Sequence, residues 1–306
     1  MESIKVFSPA TVANIGCGFD ILGLALENIG DVITLEKRND KNIVIKDVTP
    51  FNLPVSPEQN IVSIAINALL RELNEFVGFN LTIEKKVKPG SGLGSSGSSA
   101  AAGVFAINEL LGKPFDKLAL TRFAMEGEKA ISLKGHADNV GASIYGGLIL
   151  VKGYNPLDIV EIDFPEDLVI ALIYPQVEVK TSEAKKLLRE YILLDDAITQ
   201  WGNVAGLVTG MIKKDHDLIG RSLKDVVAEP VRSILIPDYY KIKSMAMEKG
   251  ALGFNISGSG PSMFAFCKST QIAESIIDES KTIYTKSGID VETYISKINP
   301  KGTIAI

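Results

Sequence analysis

A segment rich in glycine and serine, followed at once by a helical pattern, is the feature that most constrains how this sequence folds. Residues 89–99 hold four glycines, five serines, one proline and one leucine, and residues 100–111 carry a strong helix pattern. Glycine adopts positive φ and lets backbone N–H groups approach a ligand closely. The free N–H groups and the dipole at the start of a helix attract negative charge. The segment therefore predicts a binding site for a di- or triphosphate, to which the serine hydroxyls add donors or magnesium ligands.

Other interpretations of this segment fit less well. A flexible linker rarely joins a strand to a strong helix within so few residues, and Leu93 would have no use in one. Gly92, Gly94 and Gly97 match the dinucleotide-binding fingerprint in spacing. However, that fingerprint needs a second strand ending in an acidic residue, and here a second helix follows, with Asp116 in the connection. The Walker A sequence and the protein-kinase signatures are both missing.

Composition limits the remaining possibilities. A chain of 306 residues favours two domains. With a net charge of −5 and a pI near 5.3, it lacks the basic surface of a nucleic-acid-binding protein. Cys17 and Cys267 are far apart and not in metal-ligand spacing, which indicates reduced thiols and no transition-metal site. No signal peptide or membrane-spanning stretch is evident, so we expect a cytoplasmic protein without a membrane partner.

Strand and helix patterns are mixed without strict βαβ alternation, which predicts an α+β fold. The periodicity predicts strands at 33–36, 43–46, 81–85, 146–151, 168–174, 263–267 and 289–298, and helices at 61–76, 100–111, 116–132, 181–191, 195–213 and 271–287. Trp201 lies on the apolar face of the helix at 195–213 and is expected in the core. The polar stretch 152–158 suggests a boundary between an N-terminal nucleotide-binding domain, residues 1–155, and a C-terminal domain, residues 156–306.

Four segments together resemble the motifs of the GHMP kinases, the superfamily that acts on galactose, homoserine, mevalonate and phosphomevalonate. Gly-Leu-Gly-Ser-Ser-Gly-Ser-Ser at residues 92–99 resembles the central motif. Ser-Pro-Ala-Thr-Val-Ala-Asn-Ile-Gly-x-Gly-Phe-Asp at 8–20 resembles the first motif, and Asn-Ile-Ser-Gly-Ser-Gly-Pro-Ser at 255–262 the third. Gly-His-Ala-Asp-Asn at 135–139 is typical of members that act on homoserine. The matches occur in the family's order, so chance is a poor explanation.

The resemblance implies a fold and an activity. The fold would be the two-domain GHMP kinase fold, with a left-handed βαβ unit in an N-terminal α+β domain and a ferredoxin-like C-terminal domain. The activity would be ATP- and Mg²⁺-dependent phosphorylation of homoserine to O-phospho-homoserine, a step toward threonine. A homodimer is also implied.

The resemblance also implies which residues bind ATP and magnesium. Glu128, eight residues before His136, would bind Mg²⁺ together with Ser96. Without the resemblance, Glu128 beside Glu126 and Lys129 would be interpreted as a solvated carboxylate on a helix surface. The predicted ATP-binding residues are Pro89, Gly90, Ser91, Gly92, Leu93, Gly94, Ser95, Ser96, Gly97, Ser98, Ser99, Gly258, Ser259 and Gly260.

At the acceptor end, an amino-acid substrate needs an anion for its ammonium group and a cation for its carboxylate. Asp20 resembles the family residue that binds the ammonium group, although it could instead cap a following helix. Arg232 resembles one family arginine that binds the carboxylate. The register places Lys185 where a second arginine is expected, and Arg189, one helical turn on, could substitute. This departure weakens the assignment of the substrate, not of the kinase class.

Several residues resemble those around the reacting hydroxyl. Asn14 and Asn139 would hold it. Asp138 could act as a base, or no base is needed. His136 could orient the hydroxyl or take its proton, or serve only as a structural hydrogen-bonding group. Thr181 could donate to phosphate or cap its helix.

Three hypotheses follow from the sequence: a kinase of homoserine, a related kinase acting on mevalonate or a sugar, and a non-catalytic ATP-binding relative. A sugar would not need paired charges at the acceptor end.

Overall fold

The computed structural model describes residues 2–75, 77–132, 135–179, 184 and 186–306. Within these residues, seven strands form one sheet around the N-terminal half of the chain, in the order β11-β1-β2-β4-β3, with β5 pairing to β2 and β6 to β5. Their bounds are β1 (Ser3–Ala13), β2 (Leu22–Arg38), β3 (Ile43–Thr49), β4 (Gly78–Glu84), β5 (Leu148–Tyr154), β6 (Leu157–Ile162) and β11 (Ile304–Ala305).

One buried helix organises this half. The helices here are α1 (Ile61–Glu72), α2 (Ser95–Leu110), α3 (Lys117–Ser132) and α4 (Ala137–Tyr145). α2 is buried almost all round and contacts β1, β2, α1, α3 and α4. Small residues at 100–103 make this possible, since a Cβ on Gly103 would come within 2.5 Å of Val62. A helix apolar on every side belongs inside a protein, which explains the weak amphipathicity of this segment.

A second sheet forms in the C-terminal half. The described strands β7 (Val169–Pro175), β8 (Gly253–Ile256), β9 (Met263–Cys267) and β10 (Val291–Ser296) are all antiparallel, in the order β10-β7-β9-β8. Helices α5 (Leu194–Lys213), α6 (His216–Ser222), α7 (Glu229–Arg232) and α8 (Tyr239–Glu248) lie between β7 and β8, and α9 (Thr270–Lys286) between β9 and β10. Numbered within this sheet, the order is 4-1-3-2, the ferredoxin-like arrangement that was predicted.

Both faces of the second sheet are buried. Ile170 and Leu172 of β7 pack into a core that also contains Ala10 and Val12 of β1. Their neighbours Val169, Ala171 and Ile173 face the opposite way and pack with α8 and α9. Alternate residues of a strand point to opposite faces, so β7 reads as a continuous apolar run. The first of these cores joins the two halves of the molecule.

Two sequence-based expectations need comment here. Trp201 was expected in the core but is 57% exposed, and the buried residues of α5 are Leu207, Gly210 and Met211. The apolar residues of α5 include the exposed Ile198, Trp201 and Ile212 as well as the packed Leu207 and Met211, so its periodicity did not identify the packed face. The helix expected over 181–191 does not extend over 187–191, which form turns and bends. Short helices need tertiary packing to persist, and residues 189–191 are exposed.

The division into domains at residue 155 stays a prediction. The pairing of β6 with β5 assigns residues 157–162 to the first sheet, to which β11 also returns. The left-handedness of the βαβ unit stays a prediction too, although β3 and β4 are parallel and α1 connects them, as that unit requires. In the parts of the chain that the structure describes, no helix is both long and apolar enough to cross a bilayer.

Candidate active site

The glycine-rich segment forms a loop that ends in the start of α2. Gly94 is the N-cap of α2, with a left-handed φ of 62°, and among the described residues no side chain caps the helix. A Cβ on Gly94 would lie 1.9 Å from Thr11 Oγ1, and one on Gly92 would lie 2.7 Å from the Gly260 carbonyl oxygen. Only glycine therefore fits at these positions. The uncapped N–H groups of α2 are suited to bind an anion.

Leu93 anchors the loop to the protein core. It is buried with residues of β1 and of the second sheet, and its carbonyl accepts a hydrogen bond from Thr11 N–H at 3.1 Å. Ser257 Oγ donates to the Gly92 carbonyl at 2.7 Å, and Ser262 N–H donates to the Ser91 carbonyl at 3.0 Å. The loop is thus held from both halves of the molecule, which excludes a flexible linker.

Three of the serines predicted to bind ATP use their hydroxyls inside the protein. Ser95 donates to the Val87 carbonyl at 2.7 Å, Ser98 to the Ser8 carbonyl at 2.8 Å, and Ser99 to Asp31 at 2.7 Å. Their hydroxyls are therefore structural. The Ser98 N–H also donates to the Gly94 carbonyl at 2.9 Å, so the N–H groups left for a phosphate are those of the first turn, residues 95–97. Ser96 is half-buried, and its hydroxyl has no hydrogen bond within the described residues. It is the loop serine after Gly94 that is best placed to meet a ligand.

A buried ion pair lies under the loop, and the sequence analysis missed it. Lys85 Nζ contacts Asp31 Oδ2 and the Ser95 carbonyl, both at 2.5 Å, and Ser99 Oγ at 2.8 Å. The other Asp31 oxygen accepts the N–H groups of residues 86 and 87 at 2.9 and 3.1 Å. Burial lowers the pKa of Lys85, and the charge of Asp31 opposes this. The pair joins the end of β4 to the first turn of α2 and so fixes where the loop sits.

Glu128 lies inside the site. It is 5% exposed, and its Oε2 is 3.4 Å from His136 Nδ1. The hydrogen bond with Glu128 is the main cause that raises the pKa of His136. The charge of Glu128 also acts on the buried Lys85. Glu128 is therefore not a solvated carboxylate on a helix surface.

The loop between β1 and β2 carries Asn14 and Asp20. Both have left-handed backbones, with φ of 68° and 59°. The Asn14 side chain accepts from Asp20 N–H at 3.1 Å and donates to the Gly258 carbonyl at 3.0 Å. Tyr154 donates to the Asp20 carbonyl at 2.8 Å. Asn14 thus holds the shape of the loop and ties it to the third motif.

Asp138 and Asn139 occupy the first turn of α4. Thr11 Oγ1 donates to Asn139 Oδ1 at 2.8 Å, and Asn139 Nδ2 lies 3.5 Å from Asp138 Oδ1. Asp138 is 2% exposed, and burial, followed by the charge of Asp20, raises its pKa to about 7. The sequence placed these residues together but could not say which points inward. Asp138 is the buried one.

Arg232 closes the site from the C-terminal half. It is 6% exposed, it donates to the Gly258 carbonyl at 2.9 Å, and its guanidinium carbon is 5.1 Å from the centre of the Phe19 ring. Its Nε has no partner among the described residues. Burial lowers the pKa of Arg232, and the charges of Asp20, Asp225 and Asp138 oppose this. An arginine stays charged in proteins, so the site holds a permanent cation near three acidic side chains.

The third motif supports the other two. Gly258 N–H donates to the Ala13 carbonyl at 3.2 Å and Gly260 N–H to the Ser257 carbonyl at 2.9 Å. The Gly258 carbonyl accepts hydrogen bonds from both Asn14 and Arg232. These N–H groups are therefore engaged within the protein, and an ATP-binding role for Gly258, Ser259 and Gly260 stays a prediction.

Three predicted residues are not brought into this arrangement. Thr181 and Lys185 lie outside the described residues. Arg189 is exposed and not on a helix, so the helical spacing that was to let it replace a second arginine does not hold. Its binding role stays a prediction.

The structure adds residues to which the sequence analysis gave no role: Thr11, Asp31, Lys85, Tyr154, Gln200 and Asp225. Thr11 lies within the first motif segment and could have been considered there. The others come from distant parts of the chain, and only the tertiary structure brings them to the site.

Two family models match the chain. The model described as GHMP kinases N terminal domain matches residues 60–147, and the one described as GHMP kinases C terminal matches residues 207–284. The glycine-rich loop and α2 lie within the residues that the first model matches. The chain belongs to the GHMP kinase family and is a small-molecule kinase.

Individual relatives narrow this further. A homoserine kinase of Chloroherpeton thalassium is 40% identical over 316 residues, covering 99% of each chain. The crystal structure of a homoserine kinase from Cytophaga hutchinsonii has a TM-score of 0.96 and 45% identity, covering 100% of this chain and 98% of that one. The structure of L. major mevalonate kinase in complex with R-mevalonate has a TM-score of 0.72 at 16% identity, covering 96% of each chain. That last likeness shows the fold alone.

Proposed function

We propose that this protein transfers the γ-phosphate of ATP to the side-chain hydroxyl of L-homoserine and so forms O-phospho-L-homoserine. The observation that carries the proposal is the pairing of opposite charges at the acceptor end. Asp20 and the buried Arg232 are linked through Asn14 and the Gly258 carbonyl. Relatives named homoserine kinase match the whole chain at about 40% identity, which supports the same acceptor.

The charges discriminate between acceptors. Homoserine carries an ammonium group for Asp20 and a carboxylate for Arg232, whose Nε has no partner among the described residues. Mevalonate has a carboxylate but no ammonium group, and a sugar has neither. A buried charge left without its counterpart is costly, so the site favours a zwitterion.

In phosphoryl transfer, the protein mainly positions the reactants and neutralises charge on the transferring phosphoryl group. The backbone of the loop after Leu93 and the start of α2 would hold the phosphates. Asn139, whose Oδ1 is held by Thr11, keeps Nδ2 hydrogens to orient the acceptor hydroxyl. Asp138 is buried with a pKa of about 7 and can take up a proton, whereas His136 Nδ1 is directed at Glu128. The geometry therefore favours Asp138 over His136 as the group that accepts the hydroxyl proton.

The residues present fit a magnesium ion. Mg²⁺ prefers oxygen ligands and usually takes one or two from the protein, with phosphate oxygens and water completing the set. Glu128 supplies a buried carboxylate and Ser96 a hydroxyl that the described residues do not engage. When bound, the ion would neutralise charge on the transferring phosphate.

An acceptor panel tests the proposal. Homoserine, mevalonate and galactose are each incubated with the enzyme, ATP and Mg²⁺, and ADP release and the phosphorylated product are measured. We expect turnover with homoserine, at kcat/KM at least ~100-fold above the others. Turnover with mevalonate or galactose but not with homoserine would support a related kinase of that acceptor. ATP binding without turnover of any acceptor would support a non-catalytic ATP-binding relative.

We also propose a cytoplasmic enzyme in the route to threonine, acting as a homodimer. Both cysteines are buried and unpaired, as in a reducing compartment. For the dimer, the support is the exposed face of α5, where Ile198, Trp201 and Ile212 are each about half exposed. Ile198 and Ile212 lie seven residues on either side of Ala205. Two α5 helices packed antiparallel around Ala205 would bring these side chains together.

Charge supports the same arrangement. α5 carries Asp195 and Asp196 in its first turn and Lys213 in its last, with Lys214 following. In an antiparallel pair, the acidic start of one copy lies against the basic end of the other.

A further inference from the structure

Gln200 joins three parts of the acceptor site. It lies on α5, and its Nε2 donates to the Cys17 carbonyl at 2.7 Å and to Asp225 Oδ1 at 2.9 Å. Its Oε1 accepts from Val226 N–H at 3.0 Å. Both ends of the amide are therefore used, and the neutral side chain satisfies a carbonyl, a carboxylate and an N–H group at once.

One of these contacts leads to Arg232. Asp225 Oδ1 accepts the N–H groups of residues 227 and 228 at 2.8 and 3.0 Å, and its Oδ2 accepts Glu229 N–H at 2.8 Å. Asp225 thereby holds the start of α7, whose last residue is Arg232. The position of Arg232 depends on Asp225, and Gln200 holds Asp225 from outside.

The other contact leads to Asp20. Cys17 is three residues before Asp20, in the loop between β1 and β2. The described hydrogen bonds hold this loop at Asn14, at the Asp20 carbonyl through Tyr154, and at the Cys17 carbonyl through Gln200. No other side chain in the described residues bonds both this loop and the segment that leads into α7 at Asp225.

We propose that Gln200 is a positioning residue that sets the separation between Asp20 and Arg232, and so the fit of an acceptor that carries both charges. The proposal rests on the proposed function. A substrate with an ammonium group and a carboxylate must meet both partners at a fixed distance. If the link between the two segments is loosened, an acceptor that carries both charges loses more binding free energy than an acceptor that contacts only one of the two residues.

Two variants and a matched control test this. Gln200→Ala removes all three hydrogen bonds. Gln200→Glu keeps the size and the acceptor for Val226 N–H but sets an oxygen against Cys17 O and Asp225. The control is Asn203→Ala, on the same helix one turn on. Asn203 donates to the Lys224 carbonyl at 2.9 Å, next to Asp225, but no hydrogen bond joins it to the loop between β1 and β2 in the described residues.

For both Gln200 variants we expect the KM for homoserine to rise about 10-fold or more, equal to about 1.4 kcal/mol. The KM for ATP should stay within about two-fold of the parent. With 4-hydroxybutyrate and 3-amino-1-propanol, which each carry one of the two charges, kcat/KM should change less than with homoserine. Asn203→Ala should behave as the parent, and thermal unfolding checks that every variant is folded.

The proposal is overturned if the Gln200 variants raise both KM values equally, match Asn203→Ala, or lose the same factor with every acceptor. If Gln200→Ala does not fold, Gln200→Glu decides by the same criteria. The parent is assayed first. If it fails to phosphorylate homoserine, the proposed function and this inference both fail; if it succeeds and the variants show no selective effect, only this inference fails.

Discussion

Individual residues in the site owe their properties to burial. Glu128 and Asp138 are ordinary acids in the sequence, but both are nearly inaccessible to water. Their surroundings differ. Glu128 faces His136 and the buried Lys85, whereas Asp138 faces Asp20, a like charge. Glu128 therefore lies beside cationic groups, whereas burial and the like charge of Asp20 raise the pKa of Asp138 and place it to exchange a proton.

Glu128→Gln tests the magnesium assignment at the scale of one residue. The amide keeps the size and can still contact His136, but it loses the charge that binds Mg²⁺. We expect kcat to fall by about 100-fold or more with the fold intact. Steady-state rates are measured across a magnesium titration. Glu126→Gln, an exposed glutamate on the same helix, is the control and should keep the parental rate. A parental rate for Glu128→Gln at saturating magnesium would refute the assignment.

Asp138→Asn tests the raised pKa through stability. The folded protein holds the proton of Asp138 up to about pH 7, whereas the unfolded chain releases it near 3.8. Between these values the unfolded state binds fewer protons, so Asp138 lowers the free energy of unfolding as pH rises, and the loss is constant above pH 7. The variant lacks this loss. Its free energy of unfolding relative to the parent should rise from pH 4 to 7, by at most about 4 kcal/mol.

Urea unfolding at several pH values measures this difference. Comparison with the parent cancels the titrating groups that do not act on Asp138, whereas the charges of Asp20 and His136 act on it and remain part of the difference. Parallel curves for the two proteins would contradict the raised pKa. If Asp138 also accepts the hydroxyl proton, the variant's kcat should fall by about 100-fold or more.

Among the elements, α2 and the loop before it are the ones proposed to bind phosphate. The loop owes its shape to close packing at Gly92 and Gly94, and to the ion pair of Lys85 and Asp31 beneath α2. A start of a helix that is fixed from below presents its N–H groups without further rearrangement. That is what an anion-binding site requires.

Gly94→Ala and Gly90→Ala form a matched pair at this scale. Both glycines have positive φ, so alanine costs about 1–2 kcal/mol of backbone strain at either position. Only at Gly94 does the new Cβ collide, 1.9 Å from Thr11 Oγ1, whereas at Gly90 nothing lies within 4 Å. We expect Gly94→Ala to lower kcat/KM for ATP by about 100-fold or more and Gly90→Ala by at most about 10-fold. Equal effects would show that the close approach at Gly94 has no part in nucleotide binding.

At the scale of the whole molecule, the site forms where the two halves share one core. Ala10 and Val12 of β1 pack with Phe264 and Phe266 of β9. The loop after β1 carries part of the first motif, and the segment before β9 carries the third. The two motifs meet where the Asn14 side chain donates to the Gly258 carbonyl. A shared core of this kind fixes Arg232 of the C-terminal half against Asp20 and the glycine-rich loop of the N-terminal half.

The proposed pairing of two copies through the exposed face of α5 can be tested by a single substitution. If two copies pair through it, Trp201→Glu should place a charge in the apolar centre and give a monomer. Sedimentation at micromolar concentrations measures the oligomeric state. Val55→Glu, at a residue of similar exposure on a loop, is the control and should leave the dimer intact. A monomeric parent, or a dimeric Trp201→Glu variant, would contradict the proposed interface.

The sequence by itself was sufficient to predict the features that depend only on residues close together in the chain. The glycine loop, the helix after it and most strands follow from local spacing, because backbone conformation and periodicity are properties of short segments. The residues of the four motifs could be named because short segments of the sequence resemble the motifs of a known family. Tertiary structure alone decided which face of α5 is packed, that Glu128 and Asp138 are buried, and that Gln200, Asp225, Lys85 and Asp31 support the site. Burial and pairing depend on residues distant in the chain, and no spacing within a segment records them.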